Sequence, residues 1–411
     1  MVKRNVQTQS IQYHMLIQNK YHLSYCSNIH PGEDWEQTYD SLKTYLPKIK
    51  KEVAPESLFG IGLRLSNVAS LGLNEGSNLK DFKDWLDSNQ FYVFTMNGFP
   101  YGNFHNERVK DMVHAPDWTT QERLDYTKRL FDQLAFLIPE GISGGISTSP
   151  VSYRHWHTSD EALDKAFAKG GESMAEIVLQ LVETERNTGK YLHMDIEPEP
   201  DGMIENSDEV LHFFDTYLIP IATQKLIKVL GCNRETAKDL ILRHITVCYD
   251  VCHFSLAYEE PEHTLEKFSK AGIKVGKIQV SSALKILFKE GNNEAIWHSL
   301  SQFNEPTYLH QVTEKIGDKV LTYKDLPEIL EQRSTAKELR SHFHVPIFLE
   351  KYDHLFSTQD QILKVLEYLK KDQFSDQLEI ETYTWDVLPK DLKTELSNCI
   401  VREIEWLKSK I

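Results

Sequence analysis

The stretch Ile245-Thr-Val-Cys-Tyr-Asp-Val-Cys-His-Phe-Ser-Leu-Ala-Tyr-Glu-Glu260 decides how this chain is read. Its opening, Ile245-Thr246-Val247, is a short β-branched run of the kind that forms a buried strand. The run breaks at Asp250, and His253 follows three residues later. On a continuing strand those two side chains would point to opposite faces. A chain that curls after Asp250 turns both toward one mouth. A carboxylate and an imidazole at a strand end bind a divalent metal or act as acid and base. The plainer alternative is an Asp capping the next turn with a His packed under it.

The same event recurs outward from this strand. Upstream, strand-like runs appear at 22–29, 59–65, 91–96, 144–147 and 191–197, and downstream at 275–280 and 378–382. Helical patterns at 34–51, 79–88, 120–137, 161–187, 208–230 and 263–271 separate most of them, and an amphipathic helix at 390–410 closes the chain. Eight strands alternating with helices imply a parallel sheet with right-handed crossovers. The count, and the lack of a Gly-rich phosphate turn after the first strand, favour a closed (β/α)8 TIM barrel over an open doubly wound sheet. Residues 1–14 are polar and unpatterned and are expected to be a tail, with Met15 an alternative start. Residues 15–411 are expected to form one barrel, with a β-rich insertion at about 303–349 between strands seven and eight. Short strands are expected there at 308–312, 320–323 and 344–349, with a hairpin at 315–318, forming a lid over the C-terminal mouth.

The bulk numbers exclude some functions. With 40% hydrophobic and 26% charged residues the 411-residue chain is an ordinary globular protein. A net charge of −15 argues against a nucleic-acid partner, which needs a basic face. No apolar run is long enough for membrane insertion, and the N-terminus lacks the apolar centre of a secretion signal. The five cysteines show no pairing pattern, which fits reduced thiols in a cytoplasmic protein. Cys248 and Cys252 find no partners for a zinc site and are expected to be small buried hydrophobes.

Polar residues recur at the strand ends: Glu197 on strand five, Asp250 with His253 on six, Gln279 on seven, Glu381 on eight. In a parallel barrel these ends share one rim, so residues distant in sequence converge. Oxygen donors suit Mg2+ or Mn2+, and a His also admits Zn2+ or Co2+. Glu379 has the same side-chain parity as Glu381, so either could face the mouth. His30 and the loop 28–33 line the mouth or serve as turn chemistry. The loop from Asn97 carries Phe99, Tyr101 and Phe104, which stack on a sugar ring or plug the barrel top. Tyr153-Arg-His-Trp-His157 is basic and aromatic, suiting a phosphate or a sugar acid.

Glu at the end of strand five, Asp-x-x-His after strand six and Glu on strand eight resemble the metal site of xylose isomerase-like barrels. These include sugar isomerases, sugar epimerases and endonuclease IV-type nucleases. More closely, Tyr25-Cys-Ser-Asn-Ile-His-Pro-Gly-Glu33, Asn97-Gly-Phe-Pro-Tyr-Gly102, Tyr249-Asp-Val-Cys-His253, His344-Val-Pro-Ile-Phe348 and Glu381-Thr-Tyr-Thr-Trp385 resemble the EboE metabolite-traffic proteins. That likeness spans most of the chain after residue 20. It implies a place beside other proteins of a small-metabolite export pathway. By analogy with the epimerases, Glu197 and Glu381 would be metal ligands that also pass a proton at a carbon beside a carbonyl. Asp250 would be a third ligand to Mn2+, Mg2+, Co2+ or Zn2+, and His253 would hold an oxygen of a sugar- or cyclitol-like metabolite. His30, Asn97 and His310 are further expected substrate contacts. The pattern implies a His at the end of strand seven, where this chain has Gln279. His310 or His344 is the expected source of a replacement imidazole. A non-catalytic metabolite-binding barrel is the alternative, and a phosphodiesterase the third reading.

Overall fold

The computed structural model describes residues 16–17, 20–102, 110–384, 388 and 395–411. The expected tail at 1–14, together with Phe104 and Trp385 of the quoted loops, lies outside the described residues. Eight parallel strands form the centre: β1 (Tyr21–Tyr25), β2 (Phe59–Arg64), β3 (Phe91–Asn97), β4 (Gly144–Thr148), β5 (Leu192–Ile196), β6 (Ile245–Asp250), β7 (Val275–Val280) and β8 (Gln377–Ile380). Apart from Gly276, every residue in them is buried, as expected for a parallel sheet covered on both sides.

The strands hydrogen-bond in chain order from β2 to β8, and β8 returns to β1 with Leu378 beside Leu23. The remaining seam, between β1 and β2, carries a single parallel bridge from Cys26 to Gly62, reinforced by Arg64 N donating to Ser27 Oγ at 2.8 Å. The result is a nearly closed (β/α)8 barrel with helices packed around it. Helix starts follow the sequence: Asp34, Thr120 and Ser159 cap Trp35–Val53, Gln121–Leu137 and Asp160–Thr188. The helix expected over 208–230 is not continuous. It opens into a π turn at Phe214–Leu218, just before Pro220, which has no N–H to give.

The β-rich insertion is an antiparallel sheet of six strands, and it is wider than the expected 303–349. Its order is Lys319–Tyr323, Val312–Ile316, Glu338–Ser341, Leu284–Leu287, Leu355–Ser357, Lys351–Tyr352. Residues 284–287 are needed because Glu338–Ser341 would otherwise expose an unpaired edge. The hairpin turns at Gly317, whose φ of 60° suits glycine. Two expected strands are absent. Residues 308–310 do not join the ladder: Tyr308 N and His310 N donate instead to the Glu305 and Asp325 carboxylates. Residues 344–349 contain Pro346 and run as irregular chain, tied to the barrel by Val345 N donating to Ser282 O at 3.0 Å. The insertion sits over the C-terminal ends of the barrel strands, because Tyr308, Gln311 and His342, in the chain flanking its strands, share a pocket with Glu197 and Glu381.

Candidate metal centre

Glu197 stands one residue past β5, Asp250 ends β6, Gln279 lies in β7, and Glu381 stands one residue past β8. All four are buried. Oxygen atoms of Glu197, Asp250 and Glu381 lie within 4.8 Å of one another. The Gln279 amide donates to Glu197 Oε1 at 3.3 Å and also to Glu381 Oε2. Asn28 Nδ2 donates to Glu381 Oε1 at 2.6 Å and Asn97 Nδ2 to the same oxygen at 3.0 Å. Asp250 Oδ1 accepts from Ser281 Oγ at 2.6 Å and from His253 N at 3.0 Å. Asp250 is therefore a helix cap, as the plainer reading of the sequence has it, and one of its oxygens also lies within ligand distance of Glu197 and Glu381. A register shift in β6 at Val247/Cys248 sits just below it, the kind of irregularity that re-aims a side chain.

Three carboxylates this close and dry cannot all be ionised at little cost. Burial pushes Glu197 well above the usual carboxylate range, and Glu381 and Asp250 push it further. Glu381 is pushed up to about 8 by burial, Asp250 and Glu379, against the opposing pull of the Gln279 amide. Glu199 is raised by burial, Asp250 and Glu381. Among the described residues no Lys or Arg pairs with the three carboxylates. Glu197 Oε2 and Asp250 Oδ2 are buried without a hydrogen-bond partner. Orphaned acceptors of this kind fit a divalent cation, which would take the place of shared protons.

The site opens into a pocket between the barrel mouth and the insertion. Asn97 and His253 line it with Glu197 and Glu381. His253 Nδ1 donates to Pro198 O at 2.8 Å, and burial lowers its pKa. Two expected substrate contacts stand elsewhere. His30 bonds the Tyr25 hydroxyl at 2.7 Å and stacks on Tyr45, because the single 3-10 turn at Ser27–Ile29 aims Asn28 inward in its place. His310 uses both nitrogens behind the pocket wall, with His342 O at 2.8 Å and Glu305 Oε1 at 2.6 Å. His344 does reach the centre: it forms a ligand-distance triad with Asp250 and His253.

Phe99 lines the pocket at the start of its loop. The basic-aromatic run 153–157 is not open to an anion: Arg154 pairs with Glu209 at 2.6 Å and His155 with Asp201 at 3.0 Å. Asn28, Glu199, Gln311 and His342 were not singled out from the sequence. The signal for His342 was its spacing from His344, since alternate residues of extended chain share a face.

No family model and no curated protein matches the chain. Among solved structures, a xylose isomerase-like TIM barrel protein from Mycobacterium smegmatis in complex with magnesium is 8% identical, over 96% of this chain and 97% of that one, with a TM-score of 0.50. A protein described as a sugar phosphate isomerase/epimerase, from Anabaena variabilis, is 12% identical over 95% and 98%, with a TM-score of 0.49. A D-allulose 3-epimerase from Methylomonas sp. in complex with D-allulose is 10% identical over 95% and 98%, with a TM-score of 0.47. At such identities the likeness concerns the fold. The strand order and the likeness to the Mycobacterium structure together show the (β/α)8 TIM-barrel fold.

Proposed function

We propose that this protein is a metal-dependent isomerase or epimerase acting on a sugar- or cyclitol-like metabolite. We further infer that it is of the EboE metabolite-traffic type, working in the cytoplasm beside other proteins of an export pathway. The observation that carries the reading is the pair Glu197 and Glu381, two buried carboxyls with raised pKa values facing one pocket and bridged by the Gln279 amide. The five EboE-like motifs support the pathway assignment.

A carbon acid beside a carbonyl loses its proton to a carboxylate and regains one from a carboxylic acid on the other face. That exchange needs one carboxylate to take the proton and a second carboxyl, on the opposite face of the carbon, to return one. Asn28 and Asn97 fix Glu381 for this role. A bound Mn2+, Mg2+, Co2+ or Zn2+, held by Glu197, Asp250 and Glu381, would polarise the carbonyl. Gln279 joins that ligand set if its amide turns to present oxygen. His253, Asn97 and Gln311 supply polar contacts for substrate hydroxyls, and Phe99 supplies an apolar face.

One observation favours the second reading, a non-catalytic metabolite-binding barrel. Glu381 accepts from three amides, of Asn28, Asn97 and Gln279, so much of its hydrogen-bonding capacity is met without an ion. The phosphodiesterase reading is disfavoured by the net charge of −15. Hydrogen exchange separates the first two. Manganese-loaded protein in D2O, with ketoses and keto-cyclitols, is expected to wash out the proton beside the carbonyl, and Glu197→Gln or Glu381→Gln to stop it. Ligand-dependent thermal stabilisation without any exchange would favour the binding barrel.

A further inference from the structure

The pocket over the carboxylates is short of positive charge and of hydrogen-bond donors. Among its described lining residues Lys110 is the one lysine or arginine, and its ammonium is already engaged, 2.6 Å from Asp325 Oδ2 and 2.7 Å from Tyr308 O. Against it stand Glu197, Glu381 and a third acid, Glu199, which lies outside the ligand-distance group of Glu197, Asp250 and Glu381. A turn fixes Glu199 at the wall: its N donates to Ile204 O at 3.1 Å, and Gly202 N donates to its O at 3.0 Å. Among the described residues its carboxyl has no hydrogen bond and no ion pair. The charged groups that act on it, Asp250, Glu381 and Asp201, are all acids.

A second observation, independent of the acids, points the same way. Asn28 is 1% exposed and lines the pocket; its Nδ2 is spent on Glu381, and its Oδ1 is buried with no partner. A buried amide oxygen without a donor costs free energy until something donates to it. The rest of the wall is largely aromatic. Phe99 and His114 meet edge to face with centroids 5.4 Å apart at 61°, and Tyr308 and Tyr383 do so at 5.3 Å and 77°. Burial and Arg123 lower His114 to about 3, so its imidazole adds no charge. Aromatic faces attract a cation. A phosphate or carboxylate would bring only acceptors to this wall, whereas a primary ammonium brings three donors, no acceptor and a positive charge.

We propose that the molecule this pocket takes carries a protonated amine, as an amino sugar or aminocyclitol does, with Glu199 as the carboxyl partner of its ammonium. Asn28 Oδ1 accepts from a further donor of the same molecule. This names the substrate class of the proposed reaction and rests on that reading of the pocket. The division of labour follows from position: Glu197, Asp250 and Glu381 would hold the divalent ion, and Glu199, left over from that set, selects the amine.

The test is calorimetric binding of matched probes to full-length protein, metal-free and manganese-loaded, at pH 7. The probes are trans-2-aminocyclohexanol against trans-1,2-cyclohexanediol, and D-glucosamine against D-glucose and D-glucose 6-phosphate. Each amine is expected to bind at least about tenfold more tightly than its hydroxyl counterpart, with the sugar phosphate weakest. Glu199→Gln keeps the side-chain shape and is expected to fold, as judged by circular dichroism, and to erase the preference while neutral probes bind as before. An amine preference that survives in Glu199→Gln would mean that the amine meets the ion or the other acids, and overturns the proposal. So does equal or tighter binding of the neutral or phosphorylated probes by wild type, or no binding of either amine. Binding needs no turnover, so the two readings fail separately. Amine preference without hydrogen exchange supports this proposal and removes the reaction; exchange with neutral ketoses and no amine preference does the reverse.

Discussion

Two layers of the barrel interior, one residue pair apart along the same strands, treat buried charge in opposite ways. In the lower layer Lys277 and Glu379 are fully buried and pair at 2.5 Å, with Lys277 also donating to Ser147 at 3.0 Å. Burial alone would lower the Lys277 pKa, but Glu379 and the nearby acids outweigh it and hold the ammonium charged. Gly62 makes the space, since a Cβ there would overlap the Glu379 carboxyl. Two residues up each strand stand Gln279 and Glu381, with Glu197 and Asp250, and among the described residues no ammonium pairs with them. The lower layer has its cation in the sequence and is closed. The upper layer has acceptors in excess and must take its positive charge from outside, as ions or protons.

Removing the built-in cation should have the largest effect. Lys277→Met leaves Glu379 buried and unpaired and is expected to cost about 3–5 kcal/mol in urea unfolding, with much of the loss recovered in Lys277→Met/Glu379→Gln. Equal instability of the single and double variants would show that the pair is not what stabilises that layer. Filling the space beside the pair comes next. Gly62→Ala is expected to cost about 1–3 kcal/mol by overpacking, with its activity loss no greater than its loss of folded protein.

In the upper layer the effects fall on ions. Asn28→Ala removes the donor 2.6 Å from Glu381 Oε1, and Mn2+ affinity by calorimetry is expected to fall about 10–100-fold with the fold intact. Unchanged affinity would mean that Glu381 is not a ligand. The smallest effect is on pH dependence. Glu381 titrates near 4.5 in an unfolded chain and at about 8 in the fold. A raised pKa gives stability that is complete below the unfolded value and lost as pH climbs through the folded one. In metal-free protein, wild type and Glu381→Gln are expected to melt together near pH 4.5. By pH 9 the variant should be the more stable by at least about 2 °C. Parallel melting curves across that range would show that Glu381 is not held protonated. Glu197 shifts in the same direction, so wild type keeps some slope even in the variant background.

Much of this was legible in the chain. Strand ends and helix caps are local events, so the alternation of 2.0 and 3.6 periodicities gave the barrel, and parallel topology gave the shared rim. Glu379 and Glu381 could not be told apart, because parity is identical and only depth along the barrel axis separates them. The register of β8 on β7, with Glu379 beside Gln279, places the pair Lys277–Glu379 below and leaves Glu381 above. His30 and His310 were misread for a related reason: each is one or two residues from a side chain that does face the site, Asn28 or Gln311.

The sequence by itself determined the class of the protein, a parallel barrel carrying acids and an Asp-x-x-His at its strand ends, because periodicity and side-chain chemistry are properties of short segments. Only the tertiary structure decided which donors meet. His342 and His344 reach His253 across 89 and 91 residues of chain through a lid whose boundaries depend on which strands pair. Asn28 reaches Glu381 across 353 residues. Such meetings are set by packing between elements, where a shift of a single residue turns a ligand into a strut.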